Sequence, residues 1–178
     1  VIEEAPVFKI EPDVIQISCY GEDDARIVLN IVGGVEPITV SWNDSASSGV
    51  ERNNLAPGRY FVTITDSNPD GPCTIVQDFD IFNVLPLEVS AVVTDALDCD
   101  VVNSGSINLS ITGGTIAAGT SYEILWNNAE TTEDLNNIGP GYYYVTVKDN
   151  NGCTKTLNNL EVKRFEPLAV TIETQTNF

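Results

Sequence analysis

Four cysteines carry the clearest chemical signal in this chain of 178 residues. Cys19 and Cys73 lie 54 positions apart, and Cys99 and Cys153 repeat that spacing. A four-thiolate metal site needs short Cys-x-x-Cys pairs, and the sequence has none. The equal spacing therefore favours the disulfides Cys19–Cys73 and Cys99–Cys153 over the other two connectivities. Each bond would close a loop of about 55 residues, worth roughly 4 kcal/mol in the chain-entropy model, and disulfides predict an oxidising extracellular location.

Oxygen-bearing side chains alternate in the segment Asp66-x-Asn68-x-Asp70, which matches the first half of a calcium-binding loop. The second half does not match, because the twelfth position is Gln77 rather than Glu. The same residues are typical of a hairpin turn, where Asn, Asp and Gly satisfy the needs of the backbone. We favour the turn and keep calcium as the alternative, and no other cofactor is indicated. A second acidic cluster, Glu22-Asp23-Asp24, could join a site with another loop, but we favour solvated turn charge.

The composition excludes several kinds of chemistry. The chain has no His, so a Ser-His-Asp or Cys-His nucleophile system cannot be built from its own residues, and zinc sites with imidazole ligands are excluded as well. Nothing marks two of the 26 Asp and Glu residues as the paired carboxylates of a glycosidase. The formal charge of −18 argues against nucleic acid and anionic membranes as partners, and no stretch is long enough for direct membrane insertion. We predict that the chain is not an enzyme.

Landmarks recur along the chain at a shift of about 80 residues, which indicates two copies of one unit. Trp42 recurs as Trp126, and the segment 54–60 recurs as 137–143. Pro6 and Pro86 each lie 13 residues before the first cysteine of a copy. We predict a first repeat over 1–85, a second repeat over 86–166, and the start of a third repeat or a linker over 167–178. The chain is then expected to be a segment of a longer array, with any export signal elsewhere in the full protein.

Apolar and polar residues alternate along short runs, and helical periodicity is absent. The alternating runs are 27–31, 38–42 and 60–64 in the first copy and 107–111, 122–126 and 143–147 in the second. About seven strands in roughly 80 residues predict an all-β fold of two tandem immunoglobulin-like antiparallel β-sandwiches, one disulfide each.

Two kinds of aromatic residue have predicted structural places in this sandwich. Trp42 and Trp126 are expected in the core, on the third strand of each copy. Tyr60 and Tyr143 follow Pro-Gly turns typical of a tyrosine corner, in which the hydroxyl bonds the backbone a few residues upstream.

Other aromatic residues are predicted to face outward. Strand alternation places Phe61, Tyr142 and Tyr144 on the outer face, where aromatic rings can stack on sugars or on partner proteins. Ordinary cross-strand packing on a half-exposed sheet also explains these residues, and we favour that explanation.

A set of short motifs resembles one known family. Cys19-Tyr20-Gly21 is followed by a strand that ends in Gly33-Gly34, then by Pro37 and Trp42, and the pattern closes with Asp-x-x-Gly-Cys at 149–153. This pattern resembles the SprB-type repeats of very large surface adhesins of gliding bacteria, in two copies plus a third start. Two departures are that Cys99 lacks the following glycine motif and that the turn before Cys73 is longer.

The resemblance implies a cell-surface adhesin that is exported by type 9 secretion and moved by the gliding machinery. Asp44-Ser45-Ala46 is similar to the short O-glycosylation motif of exported proteins in such bacteria, which makes Ser45 a candidate glycan site. We expect a non-catalytic stalk or adhesive filament whose partners are neighbouring repeats, surface polysaccharide or other cell-surface proteins. The alternatives are a polysaccharide- or calcium-binding module and a spacer in a secreted multidomain enzyme.

Overall fold

A computed structural model describes residues 7–44, 48–97 and 103–164, and the described residues form twelve β-strands and no helix. The strands are β1 Lys9–Ile15, β2 Ala25–Val32, β3 Thr39–Trp42, β4 Glu51–Leu55, β5 Gly58–Thr65, β6 Thr74–Ile81, β7 Glu88–Thr94, β8 Gly105–Thr112, β9 Glu123–Trp126, β10 Leu135–Ile138, β11 Gly141–Lys148 and β12 Thr154–Val162. Every pair of neighbouring strands in these sheets is antiparallel, which confirms the predicted all-β class. Within the described ranges, nothing helical is available to cross a membrane.

The chain divides into two units. Unit 1 comprises Val1–Pro86 together with the short segments Gly113–Thr115 and Asn151–Cys153. Unit 2 comprises Leu87–Thr112, Ile116–Asn150 and Thr154–Phe178. The predicted start of a third repeat at 167–178 lies outside the described residues.

Unit 1 contains two three-stranded sheets that share one core. One sheet has the strand order β1-β2-β4 and the other has β3-β5-β6. Alternation along the strands sends every second side chain inward, as with Ile27 and Leu29 on β2 and Val62 and Ile64 on β5. The buried apolar residues of this core are Ile17, Ala25, Ile27, Leu29, Trp42, Leu55, Val62, Ile64, Phe79 and Ile81.

Unit 2 has the same arrangement, with sheets ordered β7-β8-β10 and β9-β11-β12 around a core of its own. Its buried apolar residues are Leu87, Val89, Ala96, Ile107, Leu109, Trp126, Leu135, Ile138, Val145, Val147 and Val162. Each half of the chain therefore has six strands in its described part, where about seven were predicted for each copy. Only residues 43–50 separate β3 from β4, and only 127–134 separate β9 from β10, which leaves little room for another strand with its turns.

A β-bulge recurs at the same place in both units. Between Leu55 and Arg52 the β4 strand has one residue more than β2, and Asn54 takes a left-handed conformation there, with φ of 55°. The β10 strand has the same irregularity at Asn137, also with φ of 55°. Asn tolerates positive φ better than most residues, which explains why an Asn-Asn pair precedes the last apolar residue of each strand.

The first and last strands of each unit run in the same direction. In unit 2, Ala96 and Arg164 form a parallel bridge just after β7 and β12, and the Ala96 N–H donates to the Lys163 carbonyl at 2.9 Å. In unit 1, Gln16 follows β1 and accepts a hydrogen bond from the Phe82 N–H at 2.8 Å, just after β6. A residue that follows the first strand therefore lies at the opposite end of the unit from one that precedes the last strand.

Candidate functional site

The disulfide of the structure joins Cys19 to Cys153, with their Cα atoms 5.7 Å apart. Both cysteines belong to unit 1. Cys73 is a free, exposed thiol, and Cys99 lies outside the described residues. The structure thus corrects the predicted pairing of Cys19 with Cys73, and Cys153 is not available for the predicted bond to Cys99.

The predicted pairing fails because Cys19 and Cys73 lie at opposite ends of unit 1. Cys73 precedes Phe82 by nine residues, a distance of about 30 Å along an extended strand. Phe82 is hydrogen bonded to Gln16, which is three residues and at most about 10 Å from Cys19. The two Cα atoms therefore cannot reach the separation of under about 7 Å that a disulfide requires.

The turn that carries Cys19 is organised by Asp24. The Asp24 carboxylate accepts hydrogen bonds from the Ser18 hydroxyl at 2.5 Å and from the Ser18 N–H at 2.9 Å. These bonds hold the pKa of Asp24 below its ordinary value, because they favour the ionised carboxylate. Asn151 donates from its side-chain amide to the Ser18 carbonyl at 3.0 Å. Part of the predicted acidic cluster therefore stabilises the turn beside the disulfide.

Asp66 organises the long turn that precedes Cys73. Its buried carboxylate accepts hydrogen bonds from the N–H groups of Cys73 at 2.6 Å and Val35 at 3.2 Å. The bond from Cys73 is the main reason that the pKa of Asp66 lies below its ordinary value. Asn68 accepts from the Asp70 N–H at 3.1 Å in the same turn.

These hydrogen bonds bear on the calcium alternative. The described residues contain no group of three or more His, Cys, Asp or Glu side chains that could hold a metal ion. The oxygens of Asp66 and Asn68 already accept backbone N–H groups, so a cation would have to compete with these bonds. The arrangement is that of a side-chain-supported turn.

Both tyrosines of the predicted corners donate to the backbone four residues upstream. The Tyr60 hydroxyl donates to the Ala56 carbonyl and the Tyr143 hydroxyl to the Gly139 carbonyl, each at 2.9 Å. The two bonds fix the turns that lead into β5 and β11.

Trp42 and Trp126 are buried, and each donates from its indole N–H to a carbonyl. Trp42 donates to Gly49 and Trp126 donates to Thr132, each at 2.9 Å. The asparagine that follows each tryptophan also makes the same kind of hydrogen bond in both units. Asn43 accepts from the Phe61 N–H and Asn127 accepts from the Tyr144 N–H.

A buried ion pair in unit 1 was missed in the sequence. Arg52 is almost fully buried and makes a two-pronged contact with the Asp44 carboxylate, at 2.8 Å and 2.5 Å. Its guanidinium carbon also lies 5.3 Å from the ring centroid of Trp42 and 6.0 Å from that of Tyr60. The hydrogen bonds to Asp44 raise the pKa of Arg52. The sequence contained one signal for this pair. Arg52 corresponds to Leu135 of the second copy, an apolar residue at an inward strand position.

The outward aromatic residues differ between the units. Phe61 is partly covered, because the Arg59 guanidinium lies 5.1 Å from the centroid of its ring. Tyr142 and Tyr144 are 68% and 50% exposed, and the Tyr142 hydroxyl donates to Glu161 at 3.1 Å. That bond raises the pKa of Tyr142. The candidate glycan site Ser45 lies outside the described residues.

The described structure is that of an all-β, disulfide-containing protein whose most distinctive polar groups stabilise turns. The model of the SprB repeat family matches residues 13–47, a segment that contains Cys19 and Trp42. The chain therefore carries a SprB-type repeat, as the resemblance predicted. This repeat suggests a repeat region of a cell-surface protein. A comparison with curated proteins gives no match.

Proposed function

We propose that this chain is a non-catalytic, tandem-repeat segment of a large extracellular adhesin, in which it serves as a stalk. The observation that carries the proposal is the SprB repeat at residues 13–47. The disulfide Cys19–Cys153 supports an oxidising location outside the cell.

The strand order supports an immunoglobulin-like architecture for each unit. A constant-type immunoglobulin domain has strands A, B, E and D in one sheet and C, F and G in the other. The sheets β1-β2-β4 and β3-β5-β6 correspond to A-B-E and C-F-G, and the described residues contain no counterpart of the D strand. The same assignment applies to β7-β8-β10 and β9-β11-β12.

Residue correspondences support the tandem repeat. Val62 lies opposite Trp42 and Val145 lies opposite Trp126, in matching pairs of strands. The tyrosine corners, the Asn bulges and the Trp-Asn pairs recur in the same order. Such agreement in register is expected when one module has been duplicated, and stacking or chaining of modules is how repeat proteins gain length.

The charge distribution supports a spacing role. The first predicted copy, 6–85, has four basic and twelve acidic residues, and the second, 86–166, has four and eleven. Like-charged modules repel one another and resist aggregation. The carboxylates with the clearest structural roles, Asp24 and Asp66, stabilise turns, which is a structural rather than a catalytic use.

The more specific parts of the proposal, type 9 secretion and a part in gliding motility, rest on the family resemblance. The test is to raise antibodies against the purified chain and to label intact and permeabilised cells of the organism that produces it. The proposal predicts equal labelling of both, and loss of the signal after brief protease treatment of intact cells. Labelling that requires permeabilisation would contradict it. Surface attachment and gliding speed of a strain without the segment test the motility claim.

A ligand-binding surface is the second candidate function, and the exposed aromatic face of unit 2 favours it. Leu125 on β9 and both Tyr142 and Tyr144 on β11 are at least half exposed. Aromatic rings on such a face can stack on sugars. Glycan arrays probed with the wild-type chain and with Tyr142→Ser/Tyr144→Ser test this candidate, with Tyr20→Ser as a matched control because Tyr20 is an exposed tyrosine of a turn in unit 1. Binding that only the double variant loses would support it.

Two further alternatives have direct tests. Calcium binding predicts a rise in melting temperature on adding calcium that Asp70→Ala abolishes. A spacer role in a secreted enzyme predicts a catalytic domain elsewhere in the full-length protein, which the flanking sequence would reveal.

A further inference from the structure

Cys73 and Cys153 hold the same place in their respective hairpins. Each cysteine immediately precedes the last strand of its copy, at Thr74, which lies opposite Thr65, and at Thr154, which lies opposite Lys148. A buried aspartate follows the preceding strand in both hairpins, Asp66 in one and Asp149 in the other. Yet Cys153 is in a disulfide and Cys73 is an exposed thiol.

The backbone at Cys73 is held in position although its thiol has no partner. The Cys73 N–H donates to the Asp66 carboxylate at 2.6 Å, and the Cys73 carbonyl accepts from the Asp66 N–H at 3.0 Å. Cys19 cannot be the missing partner, because it lies at the other end of unit 1 and is bonded to Cys153. The described residues of this chain therefore leave no other cysteine to pair with Cys73.

We propose that Cys73 is a disulfide site for the first cysteine of another copy of the repeat. The observed bond gives the rule: the first cysteine of one copy, Cys19, pairs with the second cysteine of the copy that follows it in sequence, Cys153. Cys73 is a second cysteine and takes the first cysteine of a preceding copy. Cys99 is the counterpart of Cys19 in the sequence, so it can serve as a first cysteine in a test between two molecules. The inference goes beyond the proposed adhesin role and does not depend on it.

The bond forms by thiol–disulfide exchange with a small disulfide oxidant such as oxidised glutathione. One cysteine thiolate attacks the oxidant and releases one glutathione thiolate, and the second cysteine thiolate then displaces the other glutathione. Two protein thiols lose two electrons and two protons in total, and one oxidised glutathione becomes two reduced glutathione molecules. A covalent link between successive copies is the product.

The purified chain itself tests the proposal, because Cys99 of one molecule can serve as the first cysteine for Cys73 of another. Equal amounts of ¹⁴N- and ¹⁵N-labelled chain are incubated in a glutathione redox buffer at about millimolar chain concentration, the range of effective concentration that a short tether provides. Non-reducing gels measure linkage, and mass spectrometry of peptides identifies the cysteines that are joined. Cys73→Ser and Cys99→Ser are the matched variants, and neither removes the Cys19–Cys153 bond.

The expected result is a ladder of linear oligomers that contain Cys73–Cys99 peptides of mixed isotope label, with the ladder lost in both variants. Three results would overturn the proposal: a monomer that keeps a titratable thiol at Cys73, a Cys19–Cys73 bond within one chain, or dimers joined through Cys73–Cys73 that persist in Cys99→Ser.

Discussion

Arg52 and Leu135 occupy the same register position in the two units. Arg52 on β4 lies opposite Ile27, and Leu135 on β10 lies opposite Ile107. A charged side chain and an apolar one therefore fill equivalent inward places, and each place belongs to a core that contains a buried tryptophan. The difference is matched nearby, because unit 1 has Asp44 two residues after its tryptophan, whereas unit 2 has Asn128 two residues after Trp126.

The correspondence predicts that Arg52→Leu is nearly neutral. A leucine fills the same place in unit 2, and Asp44 is about one-third exposed, so water can solvate its carboxylate once the arginine is gone. Removing one partner of an ion pair is costly when the other charge stays buried, but Asp44 can be hydrated here, so we expect a change of at most about 1 kcal/mol in the free energy of unfolding.

The matched control is Arg52→Ala, which leaves the inward place at Arg52 unfilled, whereas leucine fills it. We expect it to cost about 1–3 kcal/mol. Urea unfolding followed by tryptophan fluorescence measures both variants. A loss in Arg52→Leu as large as that in Arg52→Ala would contradict the equivalence.

The reverse substitution, Leu135→Arg, is expected to be strongly destabilising. Leu135 is buried, and Asn128 carries no charge to pair with a guanidinium at that place. Burying an unpaired charge should cost about 2–5 kcal/mol. Adding Asn128→Asp should recover part of the loss, and a double-mutant cycle measures the coupling between the two positions. Strictly additive effects would show that the Arg52–Asp44 arrangement cannot be transferred to unit 2.

Removal of either corner hydroxyl should have the same effect. Tyr60→Phe and Tyr143→Phe each delete one hydrogen bond of 2.9 Å to a backbone carbonyl, and each should lower the free energy of unfolding by about 1 kcal/mol. Tyr144→Phe is the control, because half of that side chain is exposed, and it should change stability by less than about 0.5 kcal/mol. An equal effect at Tyr144 would contradict a specific role for the corners.

The lowered pKa of Asp66 predicts a pH-dependent contribution to stability. Because the folded pKa lies below the unfolded one, the contribution is fully present above about pH 4 and is lost as pH falls through the folded pKa. In Asp66→Asn the amide N–H₂ would face backbone donors, so the variant should melt at a lower temperature than wild type at pH 7. The gap in melting temperature should narrow as the pH falls below about 4, the ordinary pKa of an aspartate. A gap that is independent of pH would argue against the carboxylate as its cause.

Much of the fold could be read from local patterns, because alternation and turn residues act over a few positions. The runs that contain Ile27, Val62 and Val145 became strands with the predicted inward faces. The described part of each half has six strands rather than about seven, because segment length alone does not reveal whether a connection contains a strand.

The disulfide could not be predicted from spacing. Cys19 and Cys73 are 54 positions apart, as are Cys99 and Cys153. Duplication of a module copies such a spacing whichever cysteines form disulfides. The decisive fact is the direction of the first and last strands, and that direction depends on how distant segments pair. Arg52 was missed for a related reason, since the register opposite Ile27 is a long-range property.

The central claim, that the segment acts as a spacer, is tested most directly by a length-matched replacement in the producing cell. The segment is exchanged for two unrelated β-sandwich domains of similar total length, with surface display of the protein checked by antibody to another region. A spacer role predicts that cells with the replacement attach to surfaces as wild-type cells do. Loss of attachment at normal surface display would contradict it and would place the adhesive contact within these residues.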